Sequence, residues 1–226
     1  MVDAIDHDSC LVPFSRIDWH FRYFLVALVF FSNTSLAGQL EAISITESGG
    51  QYEARIVALF DAPAEYVYDV ITDYKHIYRI NPSIVESELL SPQEDGVIRV
   101  RNRIEHCIAI FCIEVEMVED VVEVGDGHIV ATTVPELSSF ESGTAMWHIR
   151  PFGEGRARVQ YRASMKPGFF IPPVIGSLII KSRLREEITI SFSRIECHAT
   201  IMAKKDIEDK TVSVARRSGE NTGCAG

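Results

Sequence analysis

The sequence predicts an α+β fold: a curved antiparallel sheet of about seven strands, covered by one long C-terminal helix, with two short helices after the first strand. Three observations lead there. Ile180, Leu184, Ile188, Phe192, Ile195, Ala199 and Met202 recur at steps of three or four, which places them on one helix face. Ahead of them, most of the chain from Gln51 to Met165 reads as short alternating stretches separated by turn chemistry. A single curved sheet cannot bury its concave face alone, and the long amphipathic segment is the element able to cover it.

Residues 1–37 carry an export-like pattern. Arg16, His20 and Arg22 precede the apolar run Tyr23–Phe31, and Ser35-Leu36-Ala37 offers small residues for cleavage before Gly38. That run is shorter than the roughly 20 residues a membrane span needs. A periplasmic or secreted protein is therefore expected, with an anchor formed by residues 23–31 and a buried strand as the alternatives. Residues 38–49 read as a linker, and residues 50–204 as the folded domain.

Within the domain, Gln51–Asp61 alternates, with Tyr52, Ala54, Ile56, Ala58 and Phe60 on one side and Glu53 and Arg55 on the other. Asp61-Ala62-Pro63 reads as a helix start with Asp61 as its cap, and Val67, Val70 and Ile71 give that helix an apolar face. Asp73–Tyr78 forms a second helical turn, which Asn81-Pro82 ends. Six strands follow: Ser83–Leu90, Val97–Cys107, Phe111–Val124, His128–Val134, Gly143–Pro151 and Arg156–Met165. Turn residues at Ser91–Gly96, Gly125–Gly127 and Gly153–Gly155 imply short hairpin links and antiparallel pairing. Pro167, Pro172 and Pro173 stiffen the entry to the long helix, which reads as Pro173–Ala203. Residues 205–226 turn polar and read as a disordered tail.

The formal net charge is -10, without a run of basic residues. Binding to nucleic acid, which needs clustered lysine and arginine against phosphate, is not expected.

The order of elements resembles the START-like superfamily, also called SRPBCC or helix-grip, in its polyketide cyclase/dehydrase and coenzyme-Q-binding-like branch. The residues that carry the likeness are Phe60-x-Ala62-Pro63, Val70-Ile71-Thr72-Asp73-Tyr74, Asn81-Pro82-Ser83-Ile84, Val134-Pro135-Glu136 and Gly143-x3-Trp147. Met165-x-Pro167-Gly168-Phe169-Phe170-x-Pro172-Pro173-x-Ile175-Gly176 completes the set. Together they span about residues 50–203. The resemblance implies an internal hydrophobic cavity between the sheet and the long helix. The inward strand faces then put Ile56, Ala58, Val100, Asn102 and Ile104 on its wall, joined by Val115, Met117, Tyr161, Ala163 and Met165. Phe170 and the helix residues Ile180, Leu184 and Ile188 complete it.

Cys107 and Cys112 lie on strands whose alternation turns both toward the outer face, and hairpin pairing makes them neighbours. A disulfide is expected in an exported protein; two half-buried thiols are the alternative, with metal ligation beside His106 a third reading that lacks a second ligand pair. The same register brings Arg103 opposite Glu116 and Arg99 opposite Asp120. Between the cysteines, Ile108, Ile110 and Phe111 make an apolar loop, and Phe169 to Ile171 make a second. Either the two loops border the cavity entrance and touch a membrane or lipid-bearing partner, or they pack on the rest of the domain.

Candidate acid and base groups are Asp73, His76, Asn102, His106, Glu136, His148 and Tyr161, with Asp73, His148 and Tyr161 the ones on which a catalytic reading would rest. Neither a Ser-His-Asp order, nor a metal-binding triplet, nor a Gly-rich phosphate loop is identifiable, so neither metal nor cofactor is expected. The expected function is binding of a hydrophobic or amphipathic small molecule (a lipid, isoprenoid or polyketide-like compound) as carrier or sensor. A cyclase- or dehydrase-type enzyme and a cell-envelope interaction module without a ligand are the alternatives.

Overall fold

The computed structural model describes residues 39–90, 96–108, 111–171 and 176–220, with side chains at 39, 106, 108, 111 and 212–220 excepted. The leader, the hairpin tip at Ala109-Ile110 and the segment 172–175 lie outside the described residues.

Two hairpin-linked strands, β1 (Gln39–Ser48) and β2 (Gln51–Phe60), start the domain. Helix α1 (Ala64–Thr72) and a 3-10 segment (Tyr74–Arg79) then carry the chain to the far edge of the sheet. From there the chain returns as a meander: β3 (Ile84–Leu90), β4 (Ile98–Ile108), β5 (Phe111–Gly125), β6 (His128–Thr133), β7 (Phe140–Pro151) and β8 (Ala157–Pro167). The final element is α2 (Gly176–Glu220). The eight strands form one sheet in the order β1-β2-β8-β7-β6-β5-β4-β3, antiparallel at every pairing. Short turns suffice for the meander, whereas the jump from β2 to β3 spans the whole sheet. This is why the two short helices sit there.

The sequence reading needs three corrections. Residues 38–49 are not a linker: Gln39–Ser48 is an eighth strand, closed onto β2 by Gly49-Gly50, both at positive φ, as a two-residue hairpin requires. A register shift between Leu40 and Ala42 breaks its alternation. Residues 205–220 are not disordered, because α2 continues to Glu220. The Tyr66 hydroxyl of α1 donates to Asp206 Oδ2 at 2.5 Å and holds the helix beyond its apolar face. Asp61 does not cap α1 with its side chain. Pro63 occupies the cap position, and the Asp61 backbone N–H donates to Glu196 Oε1 at 2.7 Å, tying this loop to α2. Arg103 stands opposite Glu116, as the expected register requires, and its ion pairs go to Glu86 (3.1 Å) and Glu114 (3.3 Å), and also to Glu105.

The expected pairing of Arg99 with Asp120 is present as two hydrogen bonds of 2.6 and 2.7 Å, and the guanidinium holds the Asp120 carboxyl below its usual range. Cys107 and Cys112 face each other across the β4–β5 pair and are joined by a disulfide.

The core gathers at one end of the sheet. Val67, Val70 and Ile71 of α1 pack there with Phe60 and with Phe192, Ile195 and Ala199 of α2. The N-terminal half of α2 is seated differently: Leu178 is 77% exposed, and Ile180, Leu184 and Ile188 are only half-buried.

The turn into β6 tests the backbone account. Gly127 has φ +73, and a Cβ there would stand 1.9 Å from the Ile149 carbonyl oxygen; the Ile149 N–H in turn donates to the Gly127 carbonyl. Gly155 has φ +63 but open space around it. Gly127→Ala is expected to lower stability by about 3 kcal/mol and Gly155→Ala by about 1 kcal/mol in urea titrations. Equal losses would refute the close approach.

Candidate functional site: the cavity under the long helix

Between the concave sheet face and the N-terminal half of α2 lies a cavity of about 550 Å³. Its hollowness comes from one register row. Across adjacent strands Val121, Ala131, Ala145, Ala163 and Ala54 stand side by side, and Ile45 of β1 continues the row. The consecutive alanine methyl groups leave room where larger residues would have met the helix. On one side of this floor the next row is bulky: Ile129, Trp147, Tyr161 and Ile56 are register partners. Trp147 and Tyr161 rings lie 4.2 Å apart, and Phe192 of α2 closes over them, 5.7 Å from Trp147 and 6.2 Å from Tyr161. This aromatic wall is the closed end. On the other side come Glu119, paired with Thr133, and Met165, paired with Gly143 and Tyr52. Beyond these the α2 residues Ile180, Leu184 and Ile188 form the roof, and Phe169, Phe170 and Ile171 stand at the mouth. Phe170 is 78% exposed.

The strand alternation therefore locates most of the wall. Val100, Asn102, Ile104, Val115, Met117, Tyr161, Ala163 and Met165 line the cavity, as do Phe170, Ile180, Leu184 and Ile188. Ile56 and Ala58 do not. They are 2% and 1% exposed and belong to the packed core behind the aromatic wall. Of the entrance loops, Phe169 and Ile171 line the cavity, whereas the side chains of Ile108 and Phe111, and Ile110 as a whole, lie outside what is described.

The three catalytic candidates do not converge. Asp73 faces solvent beside the 3-10 segment, where both carboxylate oxygens take the His76 Nδ1 (2.7 and 2.8 Å). His148 alternates with the inward Trp147 and so sits on the outer face, its ring stacked on His128 at 3.9 Å. Desolvation, then the neighbouring His128 and Arg150, push its imidazole below the ordinary value. Only Tyr161 reaches the cavity. Asn102 is buried on the wall with its Oδ1 accepting from Ser87 Oγ at 2.9 Å. Glu136 is exposed in a 3-10 turn, Pro135–Leu137.

Sequence reasoning passed over Glu119, although the signal was present: it continues the inward series Ile113, Val115, Met117 and precedes Val121. Desolvation by the apolar surroundings pushes its carboxyl from the ordinary 4.5 up to about 7. The Tyr161 hydroxyl is raised as well, by desolvation and then by the Glu119 charge. Tyr74, another wall residue, is held in place by donating to Glu123 Oε1 at 3.0 Å. Among the described residues, no group of three or more His, Cys, Asp and Glu is arranged to hold a metal ion, and no helix is long and apolar enough to cross a membrane.

Solved structures share this architecture. The chain is similar to TTHA0849 of Thermus thermophilus at 19% identity and a TM-score of 0.54, over 67% of this chain and 99% of that one. It is similar to the Zhui aromatase/cyclase of Streptomyces sp. R1128 at 13% identity and 0.53, over 66% and 94%. A START superfamily protein of Mycobacterium smegmatis follows at 16% and 0.51, over 64% and 97%. At such identities the likeness speaks for the fold. No curated protein matches the chain. The family profile described as polyketide cyclase / dehydrase and lipid transport matches residues 51–199, from the first residue of β2 to the last tightly packed turns of α2. The chain belongs to that family, and with it to the START-like (SRPBCC) superfamily.

Proposed function

We propose that this protein binds a hydrophobic or amphipathic small molecule in the cavity under α2 and carries or senses it. The supporting observation is the alanine floor. It opens an apolar space of about 550 Å³, within the range of ligand pockets, roughly 300–1,000 Å³. Affinity comes from removing apolar ligand surface from water, at roughly 25 cal/mol per Å² before ordering costs. Phe170 and Leu178, both exposed at the open end, give a ligand an apolar path inward and give the domain a means of touching a lipid surface. Export from the cytoplasm is part of this reading. It is supported by the leader pattern and by the Cys107–Cys112 disulfide, a bond favoured in oxidising compartments.

The test is to fill the floor. The probe N-phenyl-1-naphthylamine is expected to fluoresce with the native protein. Ala145→Leu and Ala163→Leu, which add bulk into the hollow rather than into the core, are expected to weaken binding at least tenfold while leaving the melting temperature within a few degrees. A folded native protein that leaves the probe dark would overturn the carrier reading.

A further inference from the structure

Glu119 projects from β5 into the cavity between Met117 and Val121, beside Val100 of β4 and Thr133 of β6. It has neither a hydrogen bond nor an ion pair among the described residues. The charged groups nearby do not serve it. Arg183 of α2 donates to Glu186 at 2.7 Å, Glu187 is already engaged, and Glu53 of β2 lies 3.6 Å from Arg55. Of the cavity tyrosines, Tyr74 is bonded to Glu123, and Tyr52 lies at the other edge of the floor, on β2. The Tyr161 hydroxyl, like Glu119, has no hydrogen-bonding partner among the described residues. An apolar hollow thus contains two polar groups without hydrogen-bonding partners among the described residues, which native interiors ordinarily avoid.

We propose that the Glu119 carboxyl donates a hydrogen bond to a carbonyl oxygen of an uncharged, otherwise apolar ligand, with the Tyr161 hydroxyl as a second donor across the alanine floor. This rests on the ligand-binding reading above and specifies its ligand class. A carboxyl group desolvated without a cation beside it takes up a proton, and it then donates. The raised Glu119 and Tyr161 values keep both groups protonated just below neutral pH. A neutral acid and a phenol in an apolar site together form a device for gripping a carbonyl oxygen. Among the described residues lining the cavity the arginine is Arg183, already paired with Glu186 at 2.7 Å, so an anionic head group would have to compete for it.

The test uses three probes of similar size on the full chain, by equilibrium dialysis: 2-acetylnaphthalene, 2-ethylnaphthalene and 2-naphthylmethylamine. The ketone is expected to bind about tenfold tighter than the hydrocarbon at pH 5.5. That preference should fall below about threefold at pH 8.5, where the ionised carboxylate can no longer donate. Glu119→Gln, whose amide donates at every pH, is expected to keep the preference at both. Glu119→Leu is expected to hold the preference below about threefold at both pH values, the part the Tyr161 hydroxyl supplies, while still binding the hydrocarbon. Tyr161→Phe should remove what remains at pH 8.5. Two results overturn the proposal and leave the cavity's role standing. One is hydrocarbon binding with no ketone preference; the other is an amine that outbinds the hydrocarbon with affinity rising with pH. Failure of all three probes to bind the folded protein would instead remove the ligand-binding reading, and this proposal with it.

Discussion

Phe192→Ala is expected to remove about 3–5 kcal/mol of folding stability, the cost typical of deleting a buried aromatic ring. For a domain whose total stability is of the order of 5–15 kcal/mol, that is a large share. Phe192 is 3% exposed and its ring meets Phe60 at 5.8 Å, Trp147 at 5.7 Å and Tyr161 at 6.2 Å. It therefore joins α2 to both the core and the aromatic wall, and truncation strips each of those rings of a neighbour. Toward the N-terminus, Ile188 and Leu184 face the cavity and already lack close neighbours on one side. Leu184→Ala is expected to cost about 1 kcal/mol, since a half-exposed side chain has less burial to lose. Urea titrations of the two variants check this. A Leu184→Ala loss as large as that of Phe192→Ala would show that the helix is packed evenly along its length and the cavity is not open.

The second large effect is a dependence on pH. Glu119 titrates at about 7 in the folded chain against an ordinary value of 4.5. Below that ordinary value both folded and unfolded chains carry the proton, and the residue imposes no pH-dependent cost. Between the two values the unfolded chain releases it while the folded chain does not, so stability falls as pH rises. Above the folded value both are ionised and the cost levels at about 3 kcal/mol. Glu119→Leu is therefore expected to be more stable than the native protein by an increment that grows from about pH 4.5 to about pH 7.5 and then stays flat. Subtracting the two stability curves, measured in urea from about pH 4 to about pH 8.5, cancels contributions shared by both chains, such as that of Asp120. Parallel curves would mean that the carboxyl is hydrated in the cavity.

Strand parity made much of the domain legible. The alternation of Ile98, Val100 and Ile104 against Ile113, Val115 and Met117 yields the β4–β5 register, and with it the Cys107–Cys112 bond and the Arg99–Asp120 pair. The apolar series from Ile180 to Met202 marks the face that α2 turns inward. What was not legible depended on tertiary partners. β1 is an edge strand whose bulge scrambles its alternation, so that only Gly49-Gly50 betrayed it. Past Ala203 the helix is met at Asp206 by Tyr66, a contact between residues 140 apart in sequence that no local pattern announces. Asp73 and His148 carry the right chemical groups but face away from the cavity. For His148 the inward Trp147 and Ile149 on either side already gave its direction. Glu119 went unnoticed because a glutamate on a strand is ordinarily solvated, and here the inward position outweighs the residue type.

A helix buried at its Phe192–Ala203 portion and half-exposed toward Gly176 has the form of a cantilever. If the cavity holds a ligand as proposed, guests of different girth are expected to displace its half-exposed tip rather than repack the sheet. Selectivity for size is then expected to be weak at the roof and strict at the floor, where each strand is clamped by its neighbours.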